Sequence, residues 1–166
     1  DPNTWSADNA TALAGWVPSE DGSKLVYAVQ EGGSDWRTVK VLDVASGEVL
    51  PDTVEWVKYS GLAWAKDGSG FYYSRFPEPK AGEEFQATTT NQAIYFHKLG
   101  TPQSADRLMY ADPERPKLGH FAEVSWDGRW LVVTTLSGTE EKWVGEEGNE
   151  TARALEDKIL TGAGEL

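Results

Sequence analysis

Hydrophobic and polar positions alternate along most of the chain, and short turns rich in Gly, Pro and Asp separate the alternating runs. The clearest stretch is 19–50, where β-branched and aromatic residues fill 24–29 and 36–44. Asp21-Gly22 predicts a tight primed hairpin turn before the first run, because glycine accepts a positive φ. A further strand is predicted before the turn, at 11–17, and a short fourth strand begins at Val49-Leu50, where Pro51-Asp52 should stop it. The stretch therefore predicts a three-stranded antiparallel meander.

The same pattern starts again twice downstream. Asp67-Gly68 and Asp127-Gly128 repeat the first turn, each with an apolar strand before and after it. With the long polar loop at 77–91 set aside, the repeat is close to about 40–50 residues, the period of four-stranded propeller blades. The predicted fold is all-β, a partial β-propeller over 1–136 with about two and a half antiparallel blades. Its blades should lie at about 11–50 and 56–111, with a half blade at 119–136.

The C-terminal segment 137–166 is unassigned, because few strand formers follow Leu136. Asn149 is a candidate N-cap for a marginal helix of about ten residues, and disorder is the alternative. The chain opens on Asp1 without Met, so we interpret it as a piece of a longer protein.

Composition limits the classes of partner. The 166 residues carry a net charge of −12, which argues against binding to nucleic acid or to an anionic membrane. No apolar run approaches the roughly 20 residues that span a bilayer. The chain has no cysteine, and His97 and His120 lack a third ligand pattern, so neither a metal nor a cofactor is expected. His97 is interpreted as a packed or edge histidine.

Several collinear segments resemble the prolyl oligopeptidase family over about residues 1–138. They are Asp1-Pro2-Asn3, Gly33-Ser34-Asp35-Trp36-Arg37-Thr38-Val39-Lys40, Val57-Lys58-Tyr59-Ser60-Gly61-Leu62-Ala63-Trp64, Leu99-Gly100-Thr101-Pro102-Gln103-Ser104 and Val124-Ser125-Trp126-Asp127-Gly128-Arg129. The resemblance implies part of a seven-bladed propeller that is joined, in the family, to an α/β-hydrolase domain with Ser, Asp and His. Residues 140–166 resemble nothing in it.

Members of that family are cytosolic or periplasmic serine peptidases that cleave short peptides after proline. The resemblance implies a propeller piece that gates the active site of such a peptidase and is not catalytic by itself. Its partners would be short proline-containing peptides and the hydrolase domain, in a cytoplasmic or periplasmic location. The chain has no G-x-S-x-G nucleophile motif, which fits this expectation. The alternative is a stand-alone propeller-type interaction or scaffold protein that closes its ring by self-association through open blade edges.

Three residues are candidate site residues through the resemblance; none is expected to be catalytic. Asp35 and Trp36 match the place where the propeller faces the catalytic domain, and the aspartate there can pair with an arginine of that domain. For Asp35 the simpler interpretation is a turn aspartate that bonds its own backbone. Tyr59 matches an aromatic position that lines the substrate pocket, and its simpler interpretation is a ring packed between blades.

Overall fold

Antiparallel strands make up nearly all of the regular structure in the computed structural model, which describes residues 5–6, 10–32, 34–82 and 89–137. The strands are β1 (Ala12–Pro18), β2 (Lys24–Gln30), β3 (Arg37–Asp43), β4 (Val49–Trp64), β5 (Gly70–Arg75), β6 (Ala93–Lys98), β7 (Arg107–Ala111), β8 (Leu118–Val124) and β9 (Leu131–Ser137). A single 3-10 turn, Gln103–Ala105, precedes β7 within these residues. The all-β fold is confirmed. The helix considered at 149–160 lies outside the described residues.

Strands β1 to β7 form one sheet in chain order, and β8 pairs with β9 in a second sheet. The seven strands are continuous because β4 belongs to two blades. Its first part pairs with β3 and its last part with β5, and Val57 is opposite both Arg37 and Arg75. The first blade is therefore β1 to β3 with the start of β4, and the second is the end of β4 with β5 to β7. The sheet of β8 and β9 begins the third, as a partial propeller requires.

The expected strand end at Pro51-Asp52 is wrong, since β4 runs through both residues. Its register against β3 shifts between the pairs Lys40–Thr53 and Leu42–Val49, so the proline lies in a β-bulge. A bulge accommodates a residue without an N–H because the ladder is already interrupted there.

The Asp-Gly turns are longer than the primed turns predicted. The Ser19 N–H donates to the Lys24 carbonyl and the Gly22 N–H to the Ser19 carbonyl, so the hairpin loop holds four residues. Within it only Gly22 has a positive φ, of 69°. The Ser19 hydroxyl donates to the Asp21 carboxylate, and this bond and those from Ser23 lower the pKa of Asp21 to about 2. Ser125, Asp127 and Gly128 repeat the arrangement at the start of the third blade.

Two apolar cores lie between successive blades. The first joins the faces of blades one and two and contains Val26, Ala28, Val39, Val41, Val54, Val57, Trp64, Phe71 and Tyr73. The second joins blade two to β8 around Tyr72, Ile94 and Ala122. Each blade thus buries its apolar face only against its neighbours, which is the packing of a repeat protein. Nowhere in the part of the chain that the structure describes is a helix long and apolar enough to cross a membrane.

Candidate functional site

A wide bulge in β4 brings the predicted site residues together. In the pairing of β4 with β5, Val57 is opposite Arg75 and Leu62 is opposite Tyr73, so residues 58–61 face a single residue, Ser74. Tyr59 has a φ of 50°, a left-handed conformation that is costly for an aromatic residue. The Ser60 hydroxyl replaces the lost ladder partner by accepting a bond from the Ser74 N–H at 2.8 Å. A bulge changes the direction of the side chains on its strand, here those of Lys58 and Tyr59.

Asp35 meets both of these side chains. Lys58 Nζ lies 3.1 Å from Asp35 Oδ2, and the Tyr59 hydroxyl lies 3.4 Å from the same oxygen. The hydrogen bond and charge of Lys58 lower the pKa of Asp35 below its ordinary value, and the Tyr59 hydroxyl adds to this. The Lys58 side chain is 15% exposed and that of Asp35 60%. A nearly buried cation therefore holds an accessible carboxylate in place.

Two aromatic rings contact the Lys58 ammonium group of this pair. Lys58 Nζ lies 5.4 Å from the centre of the Trp36 ring and 5.1 Å from that of Tyr59, both cation–π distances. Trp36 packs edge-on against Trp56 at 5.9 Å and Phe76 at 6.1 Å. Tyr59 is itself 52% exposed. We call the set Asp35, Trp36, Lys58 and Tyr59 the Tyr59 face.

The structure shows the surroundings of Asp35 and Tyr59, the residues for which simpler and sharper interpretations were given. Asp35 does not make the expected Asx turn: its carboxylate contacts Lys58 and Tyr59, and the Ser34 hydroxyl accepts the bond from the Trp36 N–H instead. Tyr59 is exposed on a bulge and is not packed between blades. Lys58 was missed from the sequence, although its position next to Tyr59 in the Val-Lys-Tyr-Ser segment was the available signal.

A second polar cluster is buried between the first two blades. His97 on β6 is fully buried, with Nδ1 2.7 Å from Asp106 Oδ1 and Nε2 3.1 Å from Asp52 Oδ1. The Tyr73 hydroxyl donates to Asp106 and the Gly100 N–H to Asp52, so both carboxylates act as acceptors. His97 is thus packed and lies at no edge. Each of its two ring nitrogens lies within hydrogen-bonding distance of a carboxylate oxygen.

Comparisons with known proteins agree with this architecture. The family profile described as prolyl oligopeptidase, N-terminal beta-propeller domain, matches residues 1–161, further than the expected limit near 138. The chain is 37% identical over 153 residues to the prolyl endopeptidase of Elizabethkingia meningoseptica, covering 91% of this chain and 22% of that protein. Prolyl oligopeptidase A of Amanita bisporigera is 32% identical over 176 residues, covering 93% of this chain and 23% of that one.

Solved structures match as well. A prolyl endopeptidase structure, from work on inter-domain dynamics in catalysis and specificity, superimposes with a TM-score of 0.74 at 53% identity, covering 84% of this chain and 19% of that one. Prolyl oligopeptidase B from Galerina marginata, bound to a 35mer hydrolysis and macrocyclization substrate, gives a TM-score of 0.75 at 31% identity over 82% of this chain and 20% of that one. The chain spans about a fifth of the length of the relatives it matches.

Proposed function

The chain belongs to the prolyl oligopeptidase family, within its N-terminal β-propeller domain, and on that premise we propose that it supplies part of the propeller that gates and partly lines the active site of a proline-specific serine oligopeptidase. The peptidase chemistry would reside in an α/β-hydrolase domain, because the sequence contains no G-x-S-x-G motif. Short proline-containing peptides would be the substrates.

One observation carries the proposal: the exposed aromatic ring of Tyr59, on the bulge, stands beside the exposed carboxylate of Asp35, in the loop before β3. Tyr59 offers a flat apolar wall with a polar tip, a surface that suits a peptide side chain. Asp35 is accessible beyond its contact with Lys58 and is the group that would pair with a cation of the hydrolase domain. Trp36 would help to fix Lys58, which contacts both Asp35 and Tyr59, because its ring packs against the Lys58 ammonium group and against Trp56.

The test is a chimera in which residues 1–137 replace the corresponding propeller segment of the Elizabethkingia meningoseptica enzyme. Tyr59→Ala in that chimera should lower kcat/KM for a short proline-containing peptide by roughly 10- to 100-fold, because burying a large apolar side chain contributes about 1.5–3 kcal/mol. Tyr59→Phe keeps the ring and should stay within about threefold of the parent. The 166-residue chain alone should give no cleavage after proline. Full activity of Tyr59→Ala would contradict the role in the pocket.

A second candidate function rests on the two ends of the strand array. Leu13 and Trp16 on β1 and Val132 and Leu136 on β9 are exposed, so the first and third blades each present apolar surface. In a stand-alone scaffold, copies of the chain would cover these surfaces and close a ring. The mass in solution discriminates: a discrete oligomer that Trp16→Ser dissociates favours the scaffold, whereas a monomer favours the peptidase propeller.

A further inference from the structure

The bulge that carries Tyr59 deprives two backbone carbonyl groups of their hydrogen-bond donors in the β4–β5 ladder. Residues 58–61 have left the β4–β5 ladder, so the carbonyl groups of Lys58 and Tyr59 cannot be paired by the strand opposite. A backbone carbonyl that is buried without a partner is destabilising, so these groups need a partner from outside the ladder. A positive φ at Tyr59 adds strain that the surroundings must offset.

A single buried side chain meets both carbonyls. Gln92, just before β6, is 2% exposed, and its Nε2 donates to the Lys58 oxygen and to the Tyr59 oxygen, each at 3.0 Å. Its Oε1 accepts the His120 N–H at 2.6 Å. The partners fix the orientation of the amide, because carbonyls can only accept and an N–H can only donate.

The same side chain links the bulge to the next blade. His120 lies on β8, and its own carbonyl accepts a bond from the Ser74 hydroxyl on β5, opposite the bulge. Gly119 leaves room for the amide, because a Cβ there would lie 3.3 Å from Gln92 Oε1. The side-chain amide of Gln92 therefore connects the backbone carbonyls of the bulge to the backbone of β8 in the third blade.

We propose that Gln92 is the positioning residue of the Tyr59 face, holding Lys58 and Tyr59 where they meet Asp35 and coupling that face to the third blade. The consequence for peptide recognition rests on the proposed function; the positioning itself does not. Loss of the amide releases two carbonyls, so the bulge relaxes, Lys58 Nζ moves off Asp35 and the Tyr59 ring loses its fixed orientation.

The experiment compares Gln92→Met with Gln103→Met in the 166-residue chain. Gln103 is a matched control, since its amide also holds backbone groups of β4, donating to the Glu55 carbonyl and accepting from the Glu55 N–H. The readout is the pKa of the Asp35 carboxyl, followed by carbon NMR. Gln92→Met should raise it toward the ordinary aspartate value, as Lys58→Met does directly, while Gln103→Met leaves it lowered. An unchanged pKa in folded Gln92→Met overturns the proposal.

A second measurement needs no variant, in case Gln92→Met does not fold. In the wild-type chain both Nε2 hydrogens of Gln92 should exchange with solvent at least tenfold more slowly than those of an exposed glutamine. Exchange at the exposed rate also overturns the proposal. Failure of the proposed function would look different: the Asp35 pKa would respond to Gln92→Met, yet Tyr59→Ala in the chimera would leave peptide cleavage unchanged.

Discussion

Replacing His97 with leucine is expected to lower the free energy of unfolding by about 3–5 kcal/mol, the range for removal of one partner from a buried ionic cluster. The imidazole lies between Asp106 and Asp52, and all three side chains are almost completely buried. Leucine would fill similar space but leave two carboxylates facing each other with no cation between them. Urea denaturation of the 166-residue chain measures the loss.

His120→Leu is the matched control, because His120 is the other fully buried histidine among the residues that the structure describes. Its ring contacts the Thr135 hydroxyl at 3.0 Å and stacks edge-on with Tyr110, and no carboxylate of the described residues lies within hydrogen-bonding distance of the ring. Its removal should cost about 1–2 kcal/mol, the value of one buried hydrogen bond. Equal losses for the two variants would show that His97 acts only by filling space.

The same cluster predicts how stability depends on pH. Burial alone would lower the pKa of His97, but the hydrogen bonds and charges of Asp106 and Asp52 outweigh it and raise the pKa above the ordinary value. A raised histidine pKa means that stabilisation is complete below about pH 6.5 and is lost as pH rises through the folded-state value. Tyr73, the remaining titratable group of the cluster, stays protonated because burial and Asp106 raise its pKa.

The measured quantity is the difference in unfolding free energy between the wild type and His97→Leu, which cancels the titration of groups outside the cluster. It should be largest below about pH 6.5, the ordinary histidine pKa, and shrink as pH rises through the raised folded-state pKa. Burial lowers the pKa of His120, so the corresponding difference for His120→Leu should stay flat above about pH 6.5. A His97 difference that grows with pH would mean that the imidazole is neutral in the folded chain.

The strands could be predicted from sequence because their signals are local. Alternation and the Asp-Gly turns placed β2 and β3 within one or two residues, since a half-buried strand needs only its own pattern. The predicted end of the strand at Pro51 was wrong because the pairing with β3 forms a bulge there. At the bulge the strand does not need the N–H that proline lacks. The predicted turn type was wrong because the loop holds four residues and is organised by the hydrogen bond from the Ser19 hydroxyl to Asp21.

The site was predictable only in part. Tyr59 and Asp35 could be proposed through family resemblance, but their contact with Lys58 depends on the β4 bulge, which no local pattern marks. Gln92 was not singled out from the sequence, because its partners, Tyr59 and His120, lie 33 and 28 residues away. Contacts of this kind exist only once one blade has stacked on the next, so periodicity within a strand carries no information about them.

Gly70→Ala is the other large effect that we expect, because β5 and β6 approach each other closely within the second blade. Gly70 opens β5 opposite Lys98, and a Cβ there would clash with the His97 carbonyl oxygen and lie 2.7 Å from the Phe96 ring. The first of these neighbours is backbone in the middle of the sheet, so it cannot rotate away as a flexible side chain would. Unfolding free energy, measured by urea denaturation, should fall by about 3 kcal/mol.

Gly61→Ala provides the control, because a Cβ at that exposed position would meet nothing within 4 Å. Alanine there should change stability by less than about 1 kcal/mol and could stabilise by restricting the unfolded chain. The clash at Gly70 falls on the residue whose imidazole joins Asp52 and Asp106, so Gly70→Ala should also weaken the pH dependence expected for His97. If Gly70→Ala lost stability while that pH dependence remained, the strain would have been absorbed by Phe96, and the backbone of His97 would not have moved.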